Sequence, residues 1–275
     1  MAVITITADD YGFDPGIDSG IHRCLDAGGI DNISVWVDGD VSGGLTPQKG
    51  TKIMDNERPI QKAALGLHWN LLPLEIDVNR ISDALSIWNH FWPSGAEVRR
   101  ETARLDKSWE NIKKSGLEVV FFNGHQHLHL LPGWIDPLAQ WCRNHEIKIM
   151  RQPSELGKGA WDYRLGRPGL LILEFMGMLG SRLGRRKGIE FIPAVCRWGR
   201  SFRLEEVAKS LENLPEPHVE FMVHPGDPTP EFMGKVRWPL DQRSQMNELC
   251  RPDRDAVFQK SGLSRKSISE IFKTT

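Results

Sequence analysis

The sequence predicts an α/β fold with mostly parallel strands, and two observations carry that expectation. Short runs rich in Val, Ile, Phe and Met alternate along the chain with longer segments whose apolar residues recur at helical spacing, the pattern of strands joined by helices. Residues able to do chemistry also fall where the apolar runs finish: Asp9 and Asp10, His68, His125, Arg151 and His224. In parallel barrels and open sheets alike, sites gather at the carboxyl ends of strands. The 275 residues suffice for one large domain or two smaller ones. No internal repeat, linker or low-complexity tract divides them, so residues 1–275 are read as a single domain.

In chain order, Val3 to Ala8 alternates Val/Ile with Thr and reads as a strand that delivers Asp9-Asp10-Tyr11-Gly12. Asp14-Pro15-Gly16 is a turn and helix start, after which Ile17, Ile21 and Leu25 keep helical spacing until Gly28-Gly29. Ile33 to Val37 is a second strand, residues 38–60 read as loop with room for a short helix, and Ala63 to Leu67 is a third strand ending in Gly66-Leu67-His68-Trp69-Asn70. The stretch from Asp77 through Trp88 to Pro93 has no period and reads as an insertion over the strand ends. Glu97 to Ser115 is a charged amphipathic helix closed by Gly116. The run Val119-Val120-Phe121-Phe122 then breaks at Asn123-Gly124 into His125, His127 and His129, which share a face if the chain stays extended, before Pro132 ends the element. Helices are expected at Pro137–His145, Leu170–Leu183 and Leu204–Leu211, and strands at Ile147–Met150, Glu190–Val195 and Val219–Val223. The remainder reads as helix and short apolar pieces, and the basic run Arg185-Arg186-Lys187 as a solvated helix end.

A formal net charge of −1 gives no overall pull toward nucleic acid or an anionic membrane. Cys24, Cys142, Cys196 and Cys250 lie far apart without CxxC spacing, which indicates neither a cysteine zinc site nor a dense disulfide framework and fits a reduced compartment. The first residues lack a basic n-region, and no apolar run is long enough to span a bilayer, so a soluble cytoplasmic protein is expected.

Each candidate residue has a plain reading beside the chemical one. Asp9-Asp10 alone would be a turn or capping pair, and His68 an ordinary core residue. Taken together, one carboxylate and two imidazoles with open positions suit one divalent metal ion, and a second carboxylate beside the metal can remove a proton from water. A histidine on the opposite side can protonate a leaving nitrogen. These are the parts of a metal-dependent amide hydrolase. His127 and His129 either support the site and its substrate or satisfy core hydrogen bonds. Arg151 either meets an acid such as Asp9 or forms a surface salt bridge. Trp69, Trp88, Trp92 and Trp134 either stack on sugar rings or pack.

The chain also resembles a known family, the YdjC-like deacetylases, which include chitooligosaccharide and hopanoid-associated deacetylases. Four stretches carry the resemblance: Ala8-Asp9-Asp10-Tyr11-Gly12 is similar to N-A-D-D-F-G, Gly66-Leu67-His68-Trp69-Asn70-Leu71 to G-L-H-x-N-L, Asn123-Gly124-His125-Gln126-His127-Leu128-His129 to D-x-H-x-H-x-H, and Val223-His224-Pro225-Gly226 to x-H-P-G. A weaker match runs through Arg243 to Leu249 and on to Gly262-Leu263. The resemblance implies a distorted (β/α) barrel of the polysaccharide-deacetylase type, metal held by Asp10, His68 and His125, Asp9 as general base and His224 as general acid. It implies a homodimer as well. Asn70, His127, His129 and Arg151 are expected to contact the substrate or the groups that hold the site. Departures are Thr7 for Asn, Tyr11 for Phe, Asn123 for the frequent aspartate, and Leu71-Leu72-Pro73-Leu74 for a Thr/Gly-rich continuation. A neutral amide at Asn123 bears on how a ligand is oriented.

The expected activity is therefore removal of an N-acetyl group from a small-molecule amino-sugar, releasing acetate. The alternatives are hydrolysis of another amide or ester, and a non-catalytic carbohydrate-binding protein on the same scaffold. Two histidines and one carboxylate suit zinc by ligand softness, whereas members of the resembled family are often described with magnesium.

Overall fold

The structure is a computed structural model that describes residues 2–37, 63–72, 88–114, 116–154, 168–195, 202–214, 216–235 and 241–272. The strands are β1 (Ala2–Tyr11), β2 (Asn32–Trp36), β3 (Ala64–Trp69), β4 (Val119–Gly124), β5 (Ile149–Pro153), β6 (Glu190–Val195), β7 (His218–Val223) and β8 (Leu263–Arg265). The helices are α1 (Pro15–Asp26), α2 (Gly95–Lys114), α3 (Pro132–Asn144), α4 (Pro168–Arg186), α5 (Leu204–Ser210), α6 (Pro230–Lys235), α7 (Gln242–Leu249), α8 (Arg254–Lys260) and α9 (Ile268–Phe272). Strands β1 to β7 pair in order, all parallel, and β7 returns to β1 from Val3↔His218 to Ala8↔Val223, which closes a barrel. β8 lies against the start of β1 (Ala2–Ile4), on the edge that β2 takes up from Thr7 onward. It fills the seam where β2 has not yet begun.

Local signals explain the element ends. Asp14 caps α1 by accepting from the backbone N–H of Gly16 (2.9 Å) and Ile17 (3.2 Å), with Pro15 in the first turn, where its missing N–H costs nothing. Ser94 and Glu97 form a reciprocal cap at α2. Pro132, expected to end an element, instead opens α3, which starts five residues before the expected Pro137. A proline suits a first helical turn and leaves the preceding residue extended. The expected loop at 38–60 lies outside the described residues, as does most of the expected insertion ahead of Trp88.

The barrel interior is layered. Phe121, Ile149 and Ile192, one from each of three neighbouring strands, meet Ile268 of α9 in a small buried apolar cluster that plugs the amino-terminal end. Gly66 makes room for this plug, since a Cβ there would lie 2.2–2.5 Å from the Phe121 ring. Above it the interior is polar: Thr5 and Thr7 accept from the Asn32 amide at 2.6 and 3.0 Å, and Ser34, Asn123, Arg151 and Glu220 are all fully buried. The alternate positions Ile4, Ile6 and Ala8 join the larger apolar shell between strands and helices. Thus β1 alternates in sequence yet is buried on both faces, because its Thr face looks into the barrel and not into solvent. Among the described residues no helix is long and apolar enough to cross a membrane.

Candidate active site at the carboxyl ends of the strands

The two aspartates reach one site through an irregularity. Neighbouring residues of a regular strand face opposite ways. Between Ala8 and Tyr11, however, three steps on β1 match two on β2 (Ala8↔Ile33, Tyr11↔Val35), and Asp10 is left-handed at φ 69°. This bulge turns both carboxylates toward the barrel mouth, where His224 Nε2 stands 4.0 Å from Oδ2 of each. Asp18 of α1 holds the turn by accepting from the Gly12 N–H at 2.7 Å.

His68, at the end of β3, points its Nε2 to within 3.2 Å of Asp10 Oδ1 and 3.3 Å of His125 Nδ1, and His125 Nδ1 is 3.8 Å from Asp10 Oδ1. Asp10, His68 and His125 thus each offer one buried ligand atom, all within 4.8 Å of one another. Neither oxygen of Asp10 receives a well-directed hydrogen bond, although the residue is wholly buried. A buried carboxylate left so, beside two imidazole nitrogens, suits a cation. The donor set therefore fits a divalent metal. On its other side the His68 ring has Nδ1 2.8 Å from Asn123 Oδ1, which also accepts from Ser34 Oγ at 2.7 Å, while Asn123 Nδ2 reaches Asp9 Oδ1 at 3.3 Å. Without a metal the amide is better satisfied with its ends exchanged, its nitrogen then donating to the Leu67 carbonyl at 3.1 Å and its oxygen accepting from the Arg151 guanidinium at 2.8 and 3.1 Å. Ligation through His68 Nε2 needs the proton on Nδ1, and so selects the orientation with oxygen toward His68.

Arg151, at the end of β5, is fully buried and forks both ways. It donates from both terminal nitrogens to the two oxygens of Asp9, and from Nε (2.9 Å) and Nη2 (2.7 Å) to Glu220 in β7. This is the meeting with Asp9, not a surface salt bridge. Burial pushes the Asp9 carboxyl up, but the Arg151 guanidinium, helped by His68 and His224, outweighs it and holds Asp9 at about 2. Burial likewise opposes ionisation of Asp10, yet His68 keeps it below the usual range. Burial disfavours the His68 imidazolium too, and Asp9 and Asp10 reverse that, raising its pKa. His125 is pushed down to about 3 and His224 downward, both chiefly by burial, so both are neutral at neutral pH.

The histidine stretch departs from the extended form. β4 stops at Gly124, and His125–Leu130 form a 3-10 turn with Gln126 (φ 51°) and His127 (φ 60°) left-handed. The neighbouring ladders end at Trp69↔Gly124 and Phe122↔Met150, so beyond Gly124 the backbone has no strand to bond and curls over the mouth. His125, His127 and His129 therefore do not line one strand face. His129 is wholly buried and its Nε2–H donates to the Arg151 carbonyl at 2.8 Å, so it supports the end of β5. His127 is buried, with its ring 6.4 Å from that of His129 and no partner at Nδ1. Asn70 turns to α2, its amide oxygen accepting from Arg104 Nη2 at 3.0 Å. Trp69 and Trp134 pack on each other in the core, 4.9 Å between rings, whereas Trp88 and Trp92 are exposed.

Three participants escaped the sequence reading. Trp36 ends β2 with its ring 5.4 Å from His68 and 5.1 Å from His125, backed by Phe13 at 4.5 Å. It forms an apolar wall beside the candidate ligands. Its place at a strand end is a signal, but a rule confined to polar residues does not use it. Ser34 and Glu220 sit inside strands, where no pattern marks them.

A family model described as YdjC-like protein matches residues 3–260. A Mus musculus protein named carbohydrate deacetylase is 26% identical over 249 residues, covering 82% of this chain and 78% of the relative. A Xenopus laevis protein of the same name is 24% identical over 291 residues, covering 90% and 88%. Among solved structures, an Enterococcus faecalis protein to which cellobiose-phosphate cleavage has been ascribed aligns over 98% of both chains with a TM-score of 0.63 at 12% identity, a likeness of fold.

Proposed function

We propose, from the premise that the chain belongs to the YdjC-like family, that it is a metal-dependent hydrolase removing the N-acetyl group of an amino-sugar and releasing acetate. The observation that carries this reading is the buried Asp10, His68 and His125 cluster, with Asp9 clamped beside it by Arg151. The naming of relatives as carbohydrate deacetylases supports the substrate class.

Asp10 Oδ1, His68 Nε2 and His125 Nδ1 would hold the cation. Once bound, zinc or magnesium would lower the pKa of a water toward neutrality and polarise the acyl carbonyl. The chain's own groups do the rest. Asp9, at about 2, is a weak base that takes a proton only from a water made acidic. Arg151 occupies one lone pair on each Asp9 oxygen and the Asn123 amide reaches Oδ1 as well, which leaves Oδ2 to meet that water. His224 enters neutral, so it acquires during the cycle the proton that it gives to the leaving nitrogen. Its position 4.0 Å from both carboxylates places it within one water of Asp9. Trp36 keeps bulk water from the imidazole side.

The test is elemental analysis of the purified protein followed by an acetate-release screen over N-acetylated mono- and oligosaccharides. Near-stoichiometric metal with acetate from one sugar class is expected. Full metal loading with release of some other acid or alcohol would move the reading to another amide or ester, and metal-free protein with full turnover would overturn it.

A further inference from the structure

We propose that Cys24 and Cys250 are an oxidative modification site, a dithiol poised to form a disulfide that staples α1 to α7 around the His224 turn. The two cysteines are separated by most of the chain, yet their sulfurs lie 3.7 Å apart and both are free thiols. Cys24 is fully buried on α1, and Cys250, at the carboxyl end of α7, is half-buried and open to solvent. A disulfide needs sulfurs about 2.05 Å apart, so the pair at 3.7 Å must close by roughly 1.6 Å. Cys142, also free, is buried.

What the staple would hold is specific. On the α7 side, Gln245 Oε1 accepts the His224 N–H at 2.6 Å, and the Gln242 carbonyl accepts the Gly226 N–H at 3.2 Å. On the α1 side, the Gly16 carbonyl accepts the Asp227 N–H at 3.1 Å, and a Cβ on Gly20 would stand 2.4 Å from Gly226 Cα. The segment His224-Pro225-Gly226-Asp227 is therefore gripped between the two helices whose ends Cys24 and Cys250 occupy.

The chemistry needs a hydroperoxide. The Cys250 sulfur attacks the peroxide oxygen, the O–O bond breaks, an S–O bond forms, and water leaves. Burial pushes the Cys24 thiol up, so this thiol does not start the reaction. Its sulfur then attacks the Cys250 sulfur, the S–O bond breaks, and the departing hydroxide takes the Cys24 proton as a second water. Two thiols and one hydrogen peroxide give one disulfide and two waters.

The experiment exposes the purified protein to hydrogen peroxide, maps peptides without reductant, and follows thermal melting. The expected result is an intramolecular peptide pair joining Cys24 to Cys250, two hydrogens lighter than the separate peptides. A melting temperature higher by about 4–16 °C should accompany it and revert with a phosphine reductant. The Cys250→Ser variant, altered at the half-buried partner, should show neither change; Cys24→Ala provides the second arm. The proposal is overturned if Cys250 becomes two oxygens heavier while Cys24 still takes an alkylating reagent, if the cross-link joins two chains, or if the Cys250→Ser protein gains the same melting shift.

Discussion

Arg151→Met tests how the site is held. The side chain is fully buried between Asp9 and Glu220 and donates to both oxygens of each. Methionine keeps comparable apolar bulk but removes the cation, leaving Asp9 and Glu220 out of water without the charge they share. Breaking a buried ion pair by deleting one partner costs about 3–5 kcal/mol. At roughly 2–4 °C per kcal/mol for a chain of this size, the melting temperature should fall by about 6–20 °C. In the variant the Asp9 carboxyl loses its main stabilising charge, so its pKa in the folded state rises above the unfolded value. Stability that is present below that unfolded value is then lost as the pH rises. The gap between wild type and variant should therefore be widest near neutrality and narrow toward pH ~4. Urea unfolding of both proteins across that range measures it. A loss under about 1 kcal/mol at neutral pH, or a gap that widens on acidification, would refute the reasoning.

Asp9→Asn should retain the metal and lose turnover by about 10²–10⁴-fold, the usual contribution of a positioned base; undiminished acetate release would sink that role. His68→Ala should abolish near-stoichiometric metal in elemental analysis while the protein stays folded by circular dichroism, and full loading would remove His68 from the ligand set. Acid should destabilise the metal-free protein in two windows. Asp9, held at about 2 against 3.8, contributes on the order of 2 kcal/mol above pH ~4 that disappears as the pH falls toward about 2. His129, neutral in the fold and pushed by burial to about 3, draws stability away earlier, as its unfolded form gains a proton below pH ~6.5. A flat unfolding free energy between pH 7 and pH 4 would contradict this. Gly66→Ala, whose methyl would meet the Phe121 ring, should cost about 1–3 kcal/mol by overpacking the plug, and an unchanged melting curve would show that the ring yields.

Much of the fold was legible because its determinants are local. Val3–Ala8, Ile33–Val37, Glu190–Val195 and Val219–Val223 declare themselves as strands by composition, and Glu97–Ser115 as a helix by period and closing glycine. The rule that parallel strands carry chemistry at their carboxyl ends needs only the order of those elements, and it gathered Asp9, Asp10, His68, His125, Arg151 and His224 before any contact was known. β8 went unread because three residues have no period, and they are a strand only where β1 lacks β2.

By itself, then, the amino-acid sequence determined which residue types stand at which strand ends, since alternation and turn chemistry are written within a few neighbours. Tertiary structure alone decided how they aim. The bulge that brings Asp9 and Asp10 to one side exists because β1 carries one residue more than β2 between paired positions. The turn that lifts His125 away from His127 and His129 exists because the ladders flanking β4 end at Phe122 on the β5 side and Gly124 on the β3 side. Asn123, Ser34 and Glu220 acquire their partners only when the closing barrel buries them, because a polar group shut away from water must bond to whatever strand stands opposite.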